Sequence, residues 1–315
     1  MQSQQKKPLA IVMATDDKAA FAAGCALLSL KQNSPLLFKK ADIIIYYQNL
    51  SQQNRKALRS IGRVFFKEYK LNFSTADIKT IRRYSQLTLA RYECFFLLKE
   101  YRQLLWLDLD ILVKKELINI LKFKKSGFAM AHDDNIVASN FLKPIKGFDL
   151  LRRNFNAGVI VFSDNMANPV KIGAWCYQQT KALASKLLWI DQGILNLALQ
   201  KFAIKPAILP RKFNSHPVLS PIKTANALIL HAMGDYKFWD NYPFKEWDNF
   251  YRKWLETGGA EVTIQNYDKK YLLIFKFKLF LEKVPFIWGL FQKAVKLKFA
   301  LLNKKTLKKQ GLKGR

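Results

Sequence analysis

Residues 104–113 read Leu104-Leu105-Trp106-Leu107-Asp108-Leu109-Asp110-Ile111-Leu112-Val113. A continuous apolar run of this kind suits a strand buried on both faces of a parallel sheet, and Asp108 and Asp110 interrupt it. An unpaired ionised carboxylate there costs several kcal/mol, so the pair needs cations, donors, or a place just outside the strand's carboxyl end. In an extended segment residues i and i+2 point the same way, and two such oxygens can approach one hard cation, Mg2+ or Mn2+, from one side. A strand ending at Leu107 delivers them to the crevice where open α/β sheets bind ligands. The plainer alternative is two surface acids at a strand end.

Working outward, strands and helices alternate. Residues 8–15 form an apolar strand, and Asp16-Asp17 at its end opens a helix reaching Lys31. Residues 42–47 give a second strand, Ser51–Ser60 a capped helix, and Val64-Phe65-Phe66 a third strand. The stretch 74–85 is polar and without period. A helical pattern over Leu87–Leu98 carries Arg91 and leads into the Asp-x-Asp strand. Further strands are expected at Phe128–Ala131, ending in His132-Asp133-Asp134, and at Val159–Phe162, after Asn154-Phe155-Asn156-Ala157-Gly158. Helices are expected at 169–183 and from Trp189-Ile190-Asp191-Gln192-Gly193 through Gln200, extended chain at 203–210, and a strand at 228–230 that delivers His231. This alternation predicts a mostly parallel α/β sheet flanked by helices.

The chain has 315 residues, half of them hydrophobic, enough for one large core or a core with a smaller lobe. Cys25, Cys94 and Cys176 lie far apart in apolar segments, unlike a disulfide framework or a zinc site, and fit a reduced, cytoplasmic setting. The apolar stretch before Asp16 is too short for a secretory signal. Lys and Arg number 53 against 23 acids, a formal net charge of +30, and this calls for an anionic partner, either nucleic acid or an anionic membrane.

Five stretches occur in one order: Met13-Ala14-Thr15-Asp16-Asp17, Leu107-Asp108-Leu109-Asp110, Phe155-Asn156-Ala157-Gly158, Asp191-Gln192, and His231-x-x-Gly234-x-x-Lys237-x-Trp239. Over residues 8–250 they resemble glycosyltransferase family 8, most closely its bacterial lipopolysaccharide α-galactosyl- and α-glucosyltransferases. The resemblance implies a GT-A (Rossmann-like) fold, a UDP-sugar donor, Mn2+ or Mg2+, retention of anomeric configuration, and a lipopolysaccharide or lipooligosaccharide core acceptor. It implies Asp108, Asp110 and His231 as metal ligands, with Leu109 in the same donor-contacting stretch and Lys237 and the Gly234 backbone at the diphosphate. Ala14, Thr15 and Asp16 match the segment that holds uridine, and Arg91 a position contacting donor sugar and diphosphate. Asp133 or Asp134, with Asn156, Ala157, Asp191 and Gln192, would surround the transferred hexose. Asp191 and Gln192 are the catalytic candidates. An amide is a poor nucleophile, which favours front-face attack by the acceptor hydroxyl, the diphosphate taking its proton. The chain departs from the family at Lys18 and Ala19, where an aromatic residue usually stacks on uracil and Phe21 is the nearest ring, and at Gly193 and Phe238.

From Tyr271 onward the texture changes, and a boundary near residue 265, after Thr257-Gly258-Gly259, divides the chain into a catalytic domain, 1–265, and a basic tail, 266–315. Trp288, Phe291, Val295, Phe299 and Leu302 fall at spacings of three and four, with Lys293, Lys296 and Lys304 on the other side of the wheel and Leu290 and Leu297 blurring the pattern. The tail is too charged to span a bilayer but suited to its anionic interface, which predicts peripheral association with the cytoplasmic face of the inner membrane. Nucleic-acid binding would instead place the basic residues on the motif-bearing domain, and a third possibility is a helix packed on that domain with its lysines solvated.

Overall fold

The computed structural model describes residues 5–81, 85–235, 237–240, 244–262 and 269–312. Strand β1 (Lys7–Thr15) is buried from Leu9 onward. Leu9, Ile11 and Met13 enter one apolar cluster and Ala10, Val12 and Ala14 another, the period-two alternation of a strand covered on both faces. Asp16 caps a short 3-10 turn leading into α1 (Ala20–Asn33). A second helix that periodicity missed, α2 (Pro35–Lys40), leads to β2 (Asp42–Tyr47), α3 (Gln52–Ile61) and β3 (Val64–Glu68). The helix expected over 87–98 is divided into a 3-10 helix, Gln86–Tyr92, and α4 (Glu93–Leu97).

The apolar run at 104–113 is two strands. β4 (Tyr101–Leu107) ends before the acids, residues 108–110 bend, and β5 (Ile111–Val113) leaves the main sheet. The acids therefore meet through a bend rather than by side-chain alternation along one strand. β6 (Phe128–Ile136) runs past the expected end, through His132, Asp133 and Asp134, with register shifts on either side of His132. β7 (Arg153–Ser163) begins six residues before the strand expected at Val159 and takes in Asn154–Gly158. Then come α5 (Pro169–Ala182), α6 (Gln192–Lys201), the two-residue β8 (Ala207–Ile208), β9 (Ile229–His231) and α7 (Lys245–Glu256).

The main sheet has the order β3-β2-β1-β4-β7-β6-β8. All its pairings are parallel except those of β7 with β4 and β6. This one reversal positions the site, because an antiparallel strand begins where its neighbours end. The start of β7 lies beside the end of β4, where the Asp108 N–H donates to Gly158 O at 2.9 Å. β9 pairs antiparallel with β5 and sets His231 opposite Ile111, next to Asp110.

Helices α8 (Lys269–Leu281) and α9 (Pro285–Gln310) make up the tail, and the proposed boundary at 265/266 lies outside the described residues. Both helices are docked. Phe275 enters the core against Phe244, ring centroids 5.5 Å apart, and buried Lys278 donates to Glu282 and Thr224 at 2.6 and 2.8 Å. Of the stripe expected to face a membrane, Trp288, Phe291, Val295, Phe299 and Leu302, the first four instead face the protein, Trp288 and Val295 buried and Phe291 and Phe299 partly so, while Leu302 is exposed. Phe286, Ile287, Leu290, Leu297 and Leu301, on the opposite side, are exposed. Leu290 and Leu297 thus belong to a second apolar stripe, and a helix with two such stripes reads as weakly amphipathic on a wheel. Among the described residues, no helix is long and apolar enough to cross a membrane.

Candidate active site

Four segments converge at the carboxyl end of β4. Asp108 and Asp110 come from the bend, His231 from the end of β9, Asn156-Ala157-Gly158 from the start of β7, and Asp191-Gln192 from the start of α6. His231 Nε2 lies 3.2 Å from Asp110 Oδ1 and 3.7 Å from Asp108 Oδ2. On its other side Nδ1 donates to Asn214 Oδ1 at 2.8 Å, which leaves Nε2 as the nitrogen that faces the acids. Asn214 donates in turn to Asn156 Oδ1 at 2.7 Å, and that oxygen also accepts from Gly158 N–H at 2.9 Å. Gly158 is required by the close approach: a Cβ there would sit 2.0 Å from His231 Cε1.

The three side chains each offer a ligand atom within 4.8 Å of the others. Two carboxylates and one imidazole suit a divalent metal ion. Burial alone would raise the pKa of Asp110, but Lys237 and His231 outweigh it and hold the carboxyl well below its usual range. Lys237 donates to Asp110 Oδ2 and, at 3.1 Å, to Ala232 O. Gly234, with φ of +73°, adopts the left-handed backbone that lets the chain turn beside these groups.

Arg91 is 4% exposed. Its NH2 group donates to Asp108 Oδ1 at 3.0 Å, its Nε lies 2.8 Å from Asp191 Oδ2, and its NH1 group donates to Ala157 O. It packs over Trp106, whose Nε1 donates to the same Asp108 oxygen at 2.8 Å. Arg91 therefore stands behind the acids and ties Asp108 to Asp191. Burial, reinforced by the charge of Asp108, raises the pKa of Asp191 to about 6 despite Arg91.

Gln192 Oε1 accepts from Asn156 Nδ2 at 3.2 Å and Ala157 N at 3.1 Å, while its Nε2 donates to Asn140 Oδ1 at 3.1 Å and Asp133 Oδ2 at 3.5 Å. The two acids on β6 differ. Asp133 accepts from Asn154 Nδ2 at 2.8 Å and turns toward Gln192, and burial raises its pKa to about 6. Asp134 is held in a two-pronged pair by Arg211.

Arg91, Asp108, Asp110, Asn156, Ala157, Asp191, Gln192, His231, Gly234 and Lys237 all line one cavity of about 120 Å3. It adjoins a larger one of about 320 Å3 with Asp133 in its wall. Ala14, Thr15, Asp16 and Leu109 line neither. The β1–β4 register, Val12 opposite Trp106, sets Ala14 level with Asp108, so the first three share the carboxyl end of the sheet. Asp16 Oδ1 accepts from Ala19 N–H at 3.0 Å as a helix cap, and Leu109 packs against the core. Phe21 is a core residue, edge-on to Trp239 and Trp247. Sequence reasoning missed Asn214, Asn140, Trp189 and Met233. Trp189 adjoins the Asp-Gln pair and carried a signal through that neighbour, whereas the two asparagines lie in no motif.

A profile of the family described as Glycosyl transferase family 8 matches residues 10–242. The chain belongs to glycosyltransferase family 8. Solved structures share its GT-A fold. The galactosyltransferase LgtC, in complex with donor and acceptor sugar analogs, superposes with TM-score 0.55 at 19% identity, over 83% of this chain and 98% of that one. The apo bifunctional glycosyltransferase WbbM gives 0.56 at 18% identity over 87% of this chain, which spans 52% of WbbM. The apo form of GlyE from Streptococcus pneumoniae TIGR4 gives 0.52 at 19%, over 86% of this chain and 62% of that one. No curated protein sequence matches the chain. As a family 8 glycosyltransferase, the protein carries an Asp-Asp-His constellation fit to hold a metal at the carboxyl end of the central strand β4.

Proposed function

We propose that this glycosyltransferase is a retaining, UDP-sugar-dependent hexosyltransferase that transfers galactose or glucose to a lipid-linked saccharide, a lipopolysaccharide or lipooligosaccharide core, on the anionic cytoplasmic face of the inner membrane. The observation that carries the reading is the convergence of Asp108, Asp110 and His231 with Asn156, Asp191 and Gln192 around one cavity. Bound there, Mn2+ or Mg2+ would supply charge stabilisation for a departing diphosphate. Lys237 adds a fixed positive charge next to Asp110, and the left-handed turn at Gly234 leaves backbone open to a phosphate. Ala14, Thr15 and Asp16, along the same carboxyl end of the sheet, are the uridine side.

Asp191, Gln192, Asn156 and Asp133 present acceptors and donors to the hexose hydroxyls. Gln192 already uses both ends of its amide, and Asp191 is paired with Arg91, so neither is a ready nucleophile for double displacement. That supports front-face attack: the acceptor oxygen bonds to the anomeric carbon as the carbon–oxygen bond to diphosphate breaks, and the hydroxyl proton passes to the departing phosphate oxygen. The exposed stripe on α9, together with Phe277 and Phe280 on α8, supports the membrane assignment. Lysines 293, 304, 305 and 308 are exposed on the same helix, and each lysine near an anionic surface contributes about 1 kcal/mol.

The test is a screen of UDP-galactose, UDP-glucose and other UDP-hexoses with Mn2+ and a panel of saccharide acceptors, followed by NMR of the product. An α-linked product from an α-linked donor is expected. A β-linked product, or turnover undiminished by chelation of the metal, would overturn the retaining, metal-dependent reading.

A further inference from the structure

The larger cavity, about 320 Å3, shares Asn156, Trp189, Gln192, Met233 and Gly234 with the metal-side cavity. A saccharide in the larger space therefore meets a hexose in the smaller one across a common partition. Its wall includes one residue from far along the chain, Phe299 on α9. The helix is pinned on both sides of that ring. Asn303, one turn on, donates to Asp134 O at 3.0 Å and accepts from Ile136 N–H at 3.3 Å. Gln310 donates to Ala138 O and Phe141 O at 2.9 and 2.7 Å, and Gln292, two turns back, donates to Pro221 O at 3.2 Å. Phe299 is thus held at the cavity by side-chain bonds to the backbone of the catalytic domain, and Leu297 and Leu301, two residues to either side, face solvent.

We propose that the C-terminal helix completes the acceptor site, with Phe299 the ring against which the apolar C–H face of the acceptor pyranose packs. This rests on the transferase reading of the metal-side cavity and adds a specificity-determining residue that none of the family motifs contains. A pocket lined by polar side chains, Arg211, Asn214 and Ser220 among them, together with the rings of Trp189 and Phe299, suits a sugar, whose hydroxyl edge and C–H face need different surfaces. The same helix presents its opposite stripe outward, so a saccharide whose lipid stays in a bilayer would enter alongside α9. The reaction at the partition is the transfer written above: the acceptor oxygen gains the anomeric carbon, the diphosphate leaves, and the proton goes with it.

The experiment uses the full chain with octyl β-galactoside, octyl β-glucoside and octyl β-lactoside as acceptors, and compares wild type, Phe299→Ala and Phe299→Tyr. Acceptor KM is expected to rise about tenfold in Phe299→Ala, the scale of one lost aromatic contact, with UDP affinity in Mn2+ as in wild type. Phe299→Tyr, which keeps the ring, should return acceptor KM to near the wild-type value. An unchanged acceptor KM in Phe299→Ala would overturn the proposal. So would a parallel loss of UDP affinity, the mark of a helix that only supports the fold. Wild-type protein that hydrolyses donor but transfers to none of the three glycosides would overturn the pocket assignment, whereas failure to bind UDP at all would overturn the transferase reading beneath it.

Discussion

The two cavities at the carboxyl end of the sheet are built in opposite ways. The metal-side cavity draws charged groups from segments far apart in sequence and fixes them through a relay of hydrogen bonds, Gly158 to Asn156 to Asn214 to His231, with Arg91 linking Asp108 to Asp191. The larger cavity has a mixed wall, part polar strand ends and part rings, and one ring comes from a helix beyond the family's matched segment. Chemistry that develops charge needs groups with no freedom to reorganise, so it fixes residue types and spacings. Recognition of a sugar face needs only a ring at the right place, which many positions in a chain can supply.

The comparison is broken most directly on the charged side. Asp108→Asn and His231→Ala are expected to lower transfer more than about a thousandfold, because several kcal/mol of charge stabilisation go with the ligand set. Rates measured across a Mn2+ titration check this, and activity restored to wild-type level at high metal would show that the residues only tune affinity. Asp191→Asn should cost about a hundredfold in kcat with little change in UDP affinity, since it stands on the sugar side of Arg91. Lost UDP affinity with normal turnover would contradict that placement.

A smaller effect follows from pH. Asp191 and Asp133 both carry pKa values raised to about 6 by burial, so both are ionised above that pH and neutral below it. With Asp191 neutral its pairing with Arg91 weakens, and kcat/KM is expected to fall about tenfold per unit below pH 6. Stability runs in the opposite sense. A carboxyl whose folded pKa lies above its unfolded value favours the folded state at low pH, so this contribution is full below about pH 4 and lost as pH rises through about 6. A flat rate profile from pH 5 to 8 would remove Asp191 from the rate-determining machinery. The smallest effect is at the tail. Leu297→Ser with Leu301→Ser should lower sedimentation with anionic vesicles several-fold, and added salt should lower it further by screening the lysines. Salt-sensitive binding to nucleic acid with no binding to vesicles would reverse the reading of the charge.

The same division explains how far the sequence could be read. The strand alternation, the Asp-x-Asp pair and His231 are legible because a buried apolar run tolerates acids only for a reason. The reversal of β7 is not legible: Asn154–Gly158, polar at its start, reads as preceding the strand at Val159, yet it pairs with β6 and meets the end of β4. The bend that separates β4 from β5 is hidden, since the segments on either side of the acids are both apolar and buried and read as one strand. On α9 the wheel shows the stripe of Trp288, Val295 and Phe299, but periodicity cannot say whether a stripe faces a protein or a bilayer, and two stripes back to back nearly cancel. Asn214 and Asn140 carry no pattern, because their roles depend on partners distant in sequence.

The central claim is that Asp108, Asp110 and His231 hold a divalent ion that carries the donor diphosphate. Calorimetric titration of UDP into wild type and Asp110→Asn, each in Mn2+ and in EDTA, tests it most directly. Tight binding is expected only for wild type in Mn2+, with EDTA and the substitution each reducing affinity more than about tenfold and their effects not adding. Equal UDP affinity for wild type in Mn2+ and in EDTA would contradict it.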